Sequence, residues 1–151
     1  RDVFSTIYFW GVGLAFVTIY TLIVERGLPW TYSLLPVVVF FSFVMLCGIG
    51  FLFAAVSVFF RDLKDIVVVA VTVLVYILPI VYLPEWTPEL FQQAMKFNPL
   101  SYMIWVYQDV LYFGRIEHPV AWVVFPLFAI LSLALGHRVF KRFRPYFGNA
   151  L

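Results

Sequence analysis

Four charged side chains fall within five residues, Arg61, Asp62, Lys64 and Asp65, between two long uncharged runs, 34–60 and 66–83. Such an island must be a turn outside the hydrocarbon, and the chemistry open to it is charge pairing with a soluble surface. It is too short to be a domain, so a soluble partner would meet it only as a small knob. The acid Asp109 lies in an apolar, aromatic stretch. At membrane depth an ionisable group reads as functional, whereas near the headgroups the same carboxylate is merely solvated; both readings stand. Other chemistry is missing. No Gly-rich loop ends in Lys-Ser or Lys-Thr, so nucleotide hydrolysis by the P-loop route is excluded. There is no His-Glu-x-x-His, and the two histidines, His118 and His137, are predicted on opposite membrane faces, so no metal site is expected. No acids pair inside a span, against a proton relay. The single cysteine, Cys47, has no partner for a disulfide and reads as a small buried hydrophobe. No catalytic residue is expected, and no nucleic acid as partner.

The elements that position these residues follow from composition. Of 151 residues, 64% are hydrophobic and 12% charged, and the mean hydropathy is +1.00, which excludes an ordinary soluble domain. The fold class expected is all-α and integral to a membrane, a single transmembrane domain with spans near 3–24, 34–60, 66–83 and 120–140. Cytoplasmic loops hold Lys and Arg, which places Arg1, Arg61, Lys64, Arg138, Lys141, Arg142 and Arg144 inside. Arg26, Lys96 and Arg115 fall outside, where Glu25, Glu85, Glu89, Asp109 and Glu117 outnumber them. Four spans beginning and ending in the cytoplasm satisfy every loop.

Glycines 11, 13, 48 and 50 lie among lipid-like residues and read as close helix packing rather than a phosphate loop. Residues 25–30 form an external turn. Pro79 and Pro84 each remove a backbone donor and disfavour helix in the residue before, so the third span should kink at Leu78 and stop by Leu83. Thr87 is expected to cap a short helix near 88–97, with Pro88 first and Leu90, Phe91, Ala94 and Phe97 on its apolar face. Asn98 caps a second, near 99–113, with Pro99 at its start and Gly114 at its end. These two are too short to cross and read as re-entrant or interfacial helices on the outer side, able to line a pathway where protein or water covers their ends.

The basic end of the last span, Arg138, Lys141, Arg142 and Arg144, has two readings, a contact for anionic headgroups or a lipid pyrophosphate, and a topology signal. Aromatic residues make up 21% of the chain, eighteen of them Phe. Such rings stack on apolar sugar faces, and they are equally ordinary packing and lipid contacts.

The charged Phe60-Arg61-Asp62-Leu63 turn after one span, the break at Leu78-Pro79-Ile80 followed by Tyr82 and Pro84, and Asn98-Pro99-Leu100 together resemble the ABC type 2 permeases. More narrowly they resemble the membrane subunits of polysaccharide exporters for O-antigen, capsule and teichoic acid. Tyr107, Leu111 and Gly114 fit the family's Tyr-Arg-x-x-Leu-x-x-Gly run, with Gln108 where Arg is common. The basic end leads to Phe147, where Gly148-Asn149 replaces the usual Ala-acid pair. The resemblance corresponds to the last four spans of a six-span permease, so an interface helix, two spans and the main coupling loop are expected upstream. It implies two permease copies with two separate ATPase subunits, which bind ATP and Mg, moving a lipid-linked glycan out across a bacterial inner membrane. In that picture Arg61, Asp62, Leu63, Lys64 and Asp65 are a minor coupling contact, and the two short helices are external gate helices. Tyr76, Tyr82, Trp86, Tyr102, Trp105 and Tyr107 are candidate channel rings. Two alternatives remain: the same kind of permease for a drug or lipid, and a polytopic enzyme of polyprenyl-linked glycans, which would need acids or histidines gathered at one face.

Overall fold

A computed structural model describes residues 2–25, 27–60, 62–80 and 87–144; the side chains of 2–7, 9, 10, 25 and 91 are outside that description. Arg61, Tyr82, Pro84 and Trp86, and the tail from 145 on, therefore lie outside the described residues. The described regular structure is entirely helical. Helix α1 spans Asp2–Glu25, a 3-10 turn covers Trp30–Leu34, and α2 follows at Leu35–Ser57. Next come α3 (Leu63–Ile77), the short α4 (Glu89–Phe97) and α5 (Pro99–Gln108). A π-helical turn at Asp109–Phe113 continues α5, and α6 closes the described chain at Pro119–Phe143.

Among the described residues, two stretches are long and apolar enough to cross a membrane, Trp30–Ser57 with 28 residues and Pro119–Phe143 with 25. At about 1.5 Å per residue each exceeds the roughly 30 Å of hydrocarbon. Helix α1 has 24 residues, about 36 Å at that rise. Helix α3 has 15 residues, about 22 Å at that rise, because it starts inside the charged island at Leu63 and ends at Ile77. Leu78 is extended, with ψ 143°, as the residue before a proline must be to avoid the ring. The break falls at Leu78, where the sequence places a kink, and the expected stop by Leu83 lies outside the described residues.

α2 and α6 form the spine. Val38, Met45, Phe125 and Ala129 are at most 2% exposed, and Phe41 meets Phe125 edge-on at 6.4 Å. Halfway along, the two backbones touch. A Cβ on Gly48 would collide with the carbonyl carbon of Ser132 and the nitrogen of Leu133, and one on Gly136 with the Gly48 carbonyl oxygen. Small residues let helices approach this closely, which in lipid replaces a hydrophobic driving force. The packing role expected of Gly48 is therefore present, joined by Gly136. Gly11, Gly13 and Gly50 meet nothing within 4 Å in this chain, which corrects the reading of all four glycines as contacts. Cys47 is likewise exposed and not buried, since it faces away from α6 one residue before Gly48.

The short helices depart from expectation in detail. α4 begins at Glu89 with Pro88, not Thr87, at the cap position. Its buried residue is Met95, at 0%, while Leu90 and Phe97 of the expected apolar face are 76% and 88% exposed. That face points out of the protein, as in a helix lying along an interface. Asn98 caps α5 as expected, its Oδ1 accepting from the Leu100 amide at 3.0 Å. Gly114 ends the segment with φ 61°, and Pro29 would lie 3.0 Å from an added Cβ, so both conformation and space select glycine.

Gly136→Ala is expected to destabilise the protein by about 1–3 kcal/mol, the range for forcing a methyl into a filled contact. Gly50→Ala is expected to be neutral within about 0.5 kcal/mol. Thermal unfolding of both variants in detergent checks the contrast.

Candidate functional site

Four consecutive residues at the junction of α5 and the π-helical turn each reach a different part of the protein. Tyr107 meets Ser42 of α2, hydroxyl to hydroxyl, at 3.0 Å. Ser42 already donates its one hydrogen to the Val38 carbonyl at 2.9 Å, so Tyr107 is the donor. Gln108 Nε2 donates to the Pro79 carbonyl at 2.7 Å, joining the short helix to the break after α3. Asp109 binds the start of α6. The Val110 carbonyl accepts from Thr31 Oγ1 at 3.1 Å, joining the 3-10 turn, and Thr31 is fully buried.

The π-helical turn explains how neighbours in sequence serve different directions. Its i to i−5 bonding advances more residues per turn, which re-aims side chains relative to α5. No periodicity in the sequence announces it, and the reading of one helix near 99–113 misses it.

Asp109 is the centre of the arrangement and is 0% exposed. Its Oδ1 lies 2.8 Å from His118 Nδ1, and its Oδ2 accepts from the His118 backbone amide at 3.1 Å and from Trp122 Nε1 at 2.9 Å. An ionised carboxylate only accepts, so Nδ1 carries the hydrogen in this pair. The His118 amide precedes α6, so the carboxylate faces the positive end of that helix. Trp105 stacks on the His118 ring at 5.5 Å and 6°, and Phe113 tilts against it at 5.9 Å. Trp105 Nε1 is buried without a partner, so this indole serves as a plane and not as a donor. Asp109 is therefore not a solvated headgroup acid. It is a buried clasp bonded at both oxygens.

The candidate channel rings divide. Tyr102 packs edge-on against Trp105 at 5.1 Å and donates to the Lys96 carbonyl at 2.8 Å, tying α4 to α5. Tyr107 faces the other way, into a cleft of about 980 Å3 between α1 and α5 that Tyr20, Gln108, Tyr112 and Arg115 also line. Tyr76 stands 72% exposed on α3, and Tyr82 and Trp86 are outside the described residues. The four described rings, Tyr76, Tyr102, Trp105 and Tyr107, are thus not gathered on one surface. The sequence does not single out Tyr20 or Tyr112, nor the partners Ser42 and Thr31, and it marks Gln108 only as a departure from the family run, without its bond to Pro79. One signal was available: His118 and Trp122, four apart at a helix start, offer donors on one face to any nearby buried acid.

At the other end of the spine, Phe59 packs on Phe143 at 5.2 Å and Phe51 on Phe140 at 5.5 Å. The island, described at Asp62, Leu63, Lys64 and Asp65, thus follows α2 at the same end of the spine that carries the exposed Arg138, Lys141, Arg142 and Arg144 on α6. The predicted cytoplasmic charges share one end of the molecule and the Asp109 clasp occupies the other. Among the described residues no group of three His, Cys, Asp or Glu is placed to hold a metal ion.

Two curated relatives carry the name O-antigen export system permease protein RfbA, both from Klebsiella pneumoniae. One is 25% identical over 138 residues, 91% of this chain and 52% of the relative. The other is 25% identical over 125 residues, 83% of this chain and 48% of the relative. The chain therefore spans about half the length of the curated relatives it matches. No protein-family model and no solved structure matches it.

Asp109→Ala is expected to cost about 3 kcal/mol, because it strands His118 and Trp122 donors in a buried site. Thr31→Val, which removes one neutral bond, should cost about 1 kcal/mol. Unfolding midpoints in detergent order the two, and equal, near-zero shifts would return Asp109 to the status of a surface acid.

Proposed function

We propose, from the family likeness to O-antigen export permeases, that this chain is part of the membrane permease of an ABC exporter for lipid-linked polysaccharide. The cargo in this reading is a glycan of the O-antigen, capsular or teichoic-acid type. The observation that carries the reading is the extent of that likeness, 91% and 83% of the chain against two permeases of the same named role. The permease supplies the path, and a separate ATPase supplies the energy.

The rest of the reading follows from the two ends. The protein is multi-pass in the bacterial inner membrane, with α1 and α3 joining α2 and α6 as spans, and it pairs with a second permease copy and two ATPase subunits. The island and the basic end of α6 face the cytoplasm, where Asp62, Lys64 and Asp65 offer charges of both signs to the ATPase surface. Arg138, Lys141, Arg142 and Arg144 sit at the depth of headgroups and of a lipid pyrophosphate. The break at Pro79, with α4 and α5 beyond it, forms the outer gate. The exposed apolar face of α4 supports its placement along the outer interface. Rings such as Tyr107, facing the cleft, suit a passing sugar chain.

Reversing the island with Asp62→Lys and Lys64→Glu is expected to lower surface glycan at least tenfold while membrane insertion of the permease is kept. The measurement is surface O-antigen in cells whose own permease gene is deleted and replaced by the variant. Wild-type glycan from the variant would make the island a topology marker only. Unchanged glycan after deletion of the permease, together with altered drug sensitivity, would favour a drug or lipid cargo.

A further inference from the structure

We propose that Gln108 is a positioning residue that holds the outer end of α3 on the short helix, and so sets where that helix rests relative to the α2–α6 spine. α3 buries none of its own residues, and Val68, Val69, Val71, Val73 and Val75 are all exposed. Side-chain packing within this chain therefore does little to locate it, and its ends matter correspondingly more. At its far end the chain turns extended at Leu78 and Pro79 is fully buried. The Pro79 carbonyl accepts from Gln108 Nε2 at 2.7 Å, and a buried carbonyl that has a donor is costly to separate from it.

The bracket that offers this donor is itself fixed on both sides. Tyr107 is bonded to Ser42 of α2, and Asp109 to His118 and Trp122 of α6. A displacement of α3 therefore shows as a change at Gln108 and not as a drift of the short helix. One neutral bond favours the docked position by roughly fivefold, about 1 kcal/mol at 1.4 kcal/mol per tenfold. That is enough to define a resting position and little enough to be released by a push at the inner end, where α3 begins beside Asp62. Gln108 and Ile80 also line the same cleft beside α1, so both sides of the contact border that space.

The test uses the full-length protein carrying this sequence, reconstituted in phospholipid bilayers with Cys47→Ser and any other cysteine replaced. Spin labels at Val69 of α3 and Leu127 of α6 report the position of α3, and labels at Phe43 and Leu127 report the spine. Gln108→Leu should raise the displaced population of the Val69–Leu127 distance about fivefold and leave the Phe43–Leu127 distance unchanged. Gln108→Arg, which restores N–H donors at sufficient reach, should return the first distance to wild type. Should Gln108→Leu fail to insert, Gln108→Glu keeps the shape and presents a carboxylate to the Pro79 oxygen, with the same displacement expected. An unchanged Val69–Leu127 distance, an equal change in both distances, or no difference between the Leu and Arg variants overturns the proposal.

The export arm rests on the transport reading, and the distance arm does not. Surface glycan is expected to fall with Gln108→Leu and recover with Gln108→Arg. A displaced α3 with unaltered glycan upholds the positioning role and counts against transport as its purpose.

Discussion

A carboxylate removed from water must be met by donors, and Asp109 is met by three: a ring nitrogen, an indole and a backbone amide, all from the first turn of α6 or the residue before it. That requirement orders much of the outer end. It brings α6 against the π-helical turn, sets His118 flat under Trp105, and leaves Gln108 and Val110 facing away toward other partners. Removal of an ion from water is costly unless it is fully bonded, so the geometry here is specified far more narrowly than apolar packing alone would specify it. The clasp also faces the positive end of a helix, which adds a favourable field in a region of low dielectric.

Much of the architecture was legible from residue types. The break at Leu78 before Pro79, the Asn98 cap and the left-handed Gly114 each rest on a local rule involving one or two residues, and each appears where the rule puts it. The features that were not legible depend on contacts between distant residues. Ser42 and Tyr107 are 65 apart in sequence and Thr31 and Val110 are 79 apart, and nothing in the local pattern of either partner names the other. α4 is a different case. Its apolar periodicity was read correctly, but periodicity states that a face is apolar and not what it meets, and that face turned outward while Met95 turned in. The same limit applies to the glycines, where type alone did not separate Gly48, in backbone contact, from Gly50, in open space.

The two ends of the molecule differ in the kind of interaction that holds them. The end at the charged island is closed by rings, Phe59 on Phe143 and Phe51 on Phe140. The end at Asp109 is closed by directional hydrogen bonds to single carbonyls and carboxylate oxygens. Ring contacts tolerate small rotations with little loss, whereas hydrogen bonds weaken steeply once misaligned. Movement entering at the island would therefore be absorbed gradually there and registered abruptly at the far end.

The contact between Gly48 and Gly136 gives the spine a further property. Where side chains separate two helices, the layer between them can shear by changing rotamers; where main chain rests on main chain, there is no such layer to deform. α2 and α6 then behave as a single stiff wall. Relative motion in this part of the protein is left to the lightly packed helices that lean on it.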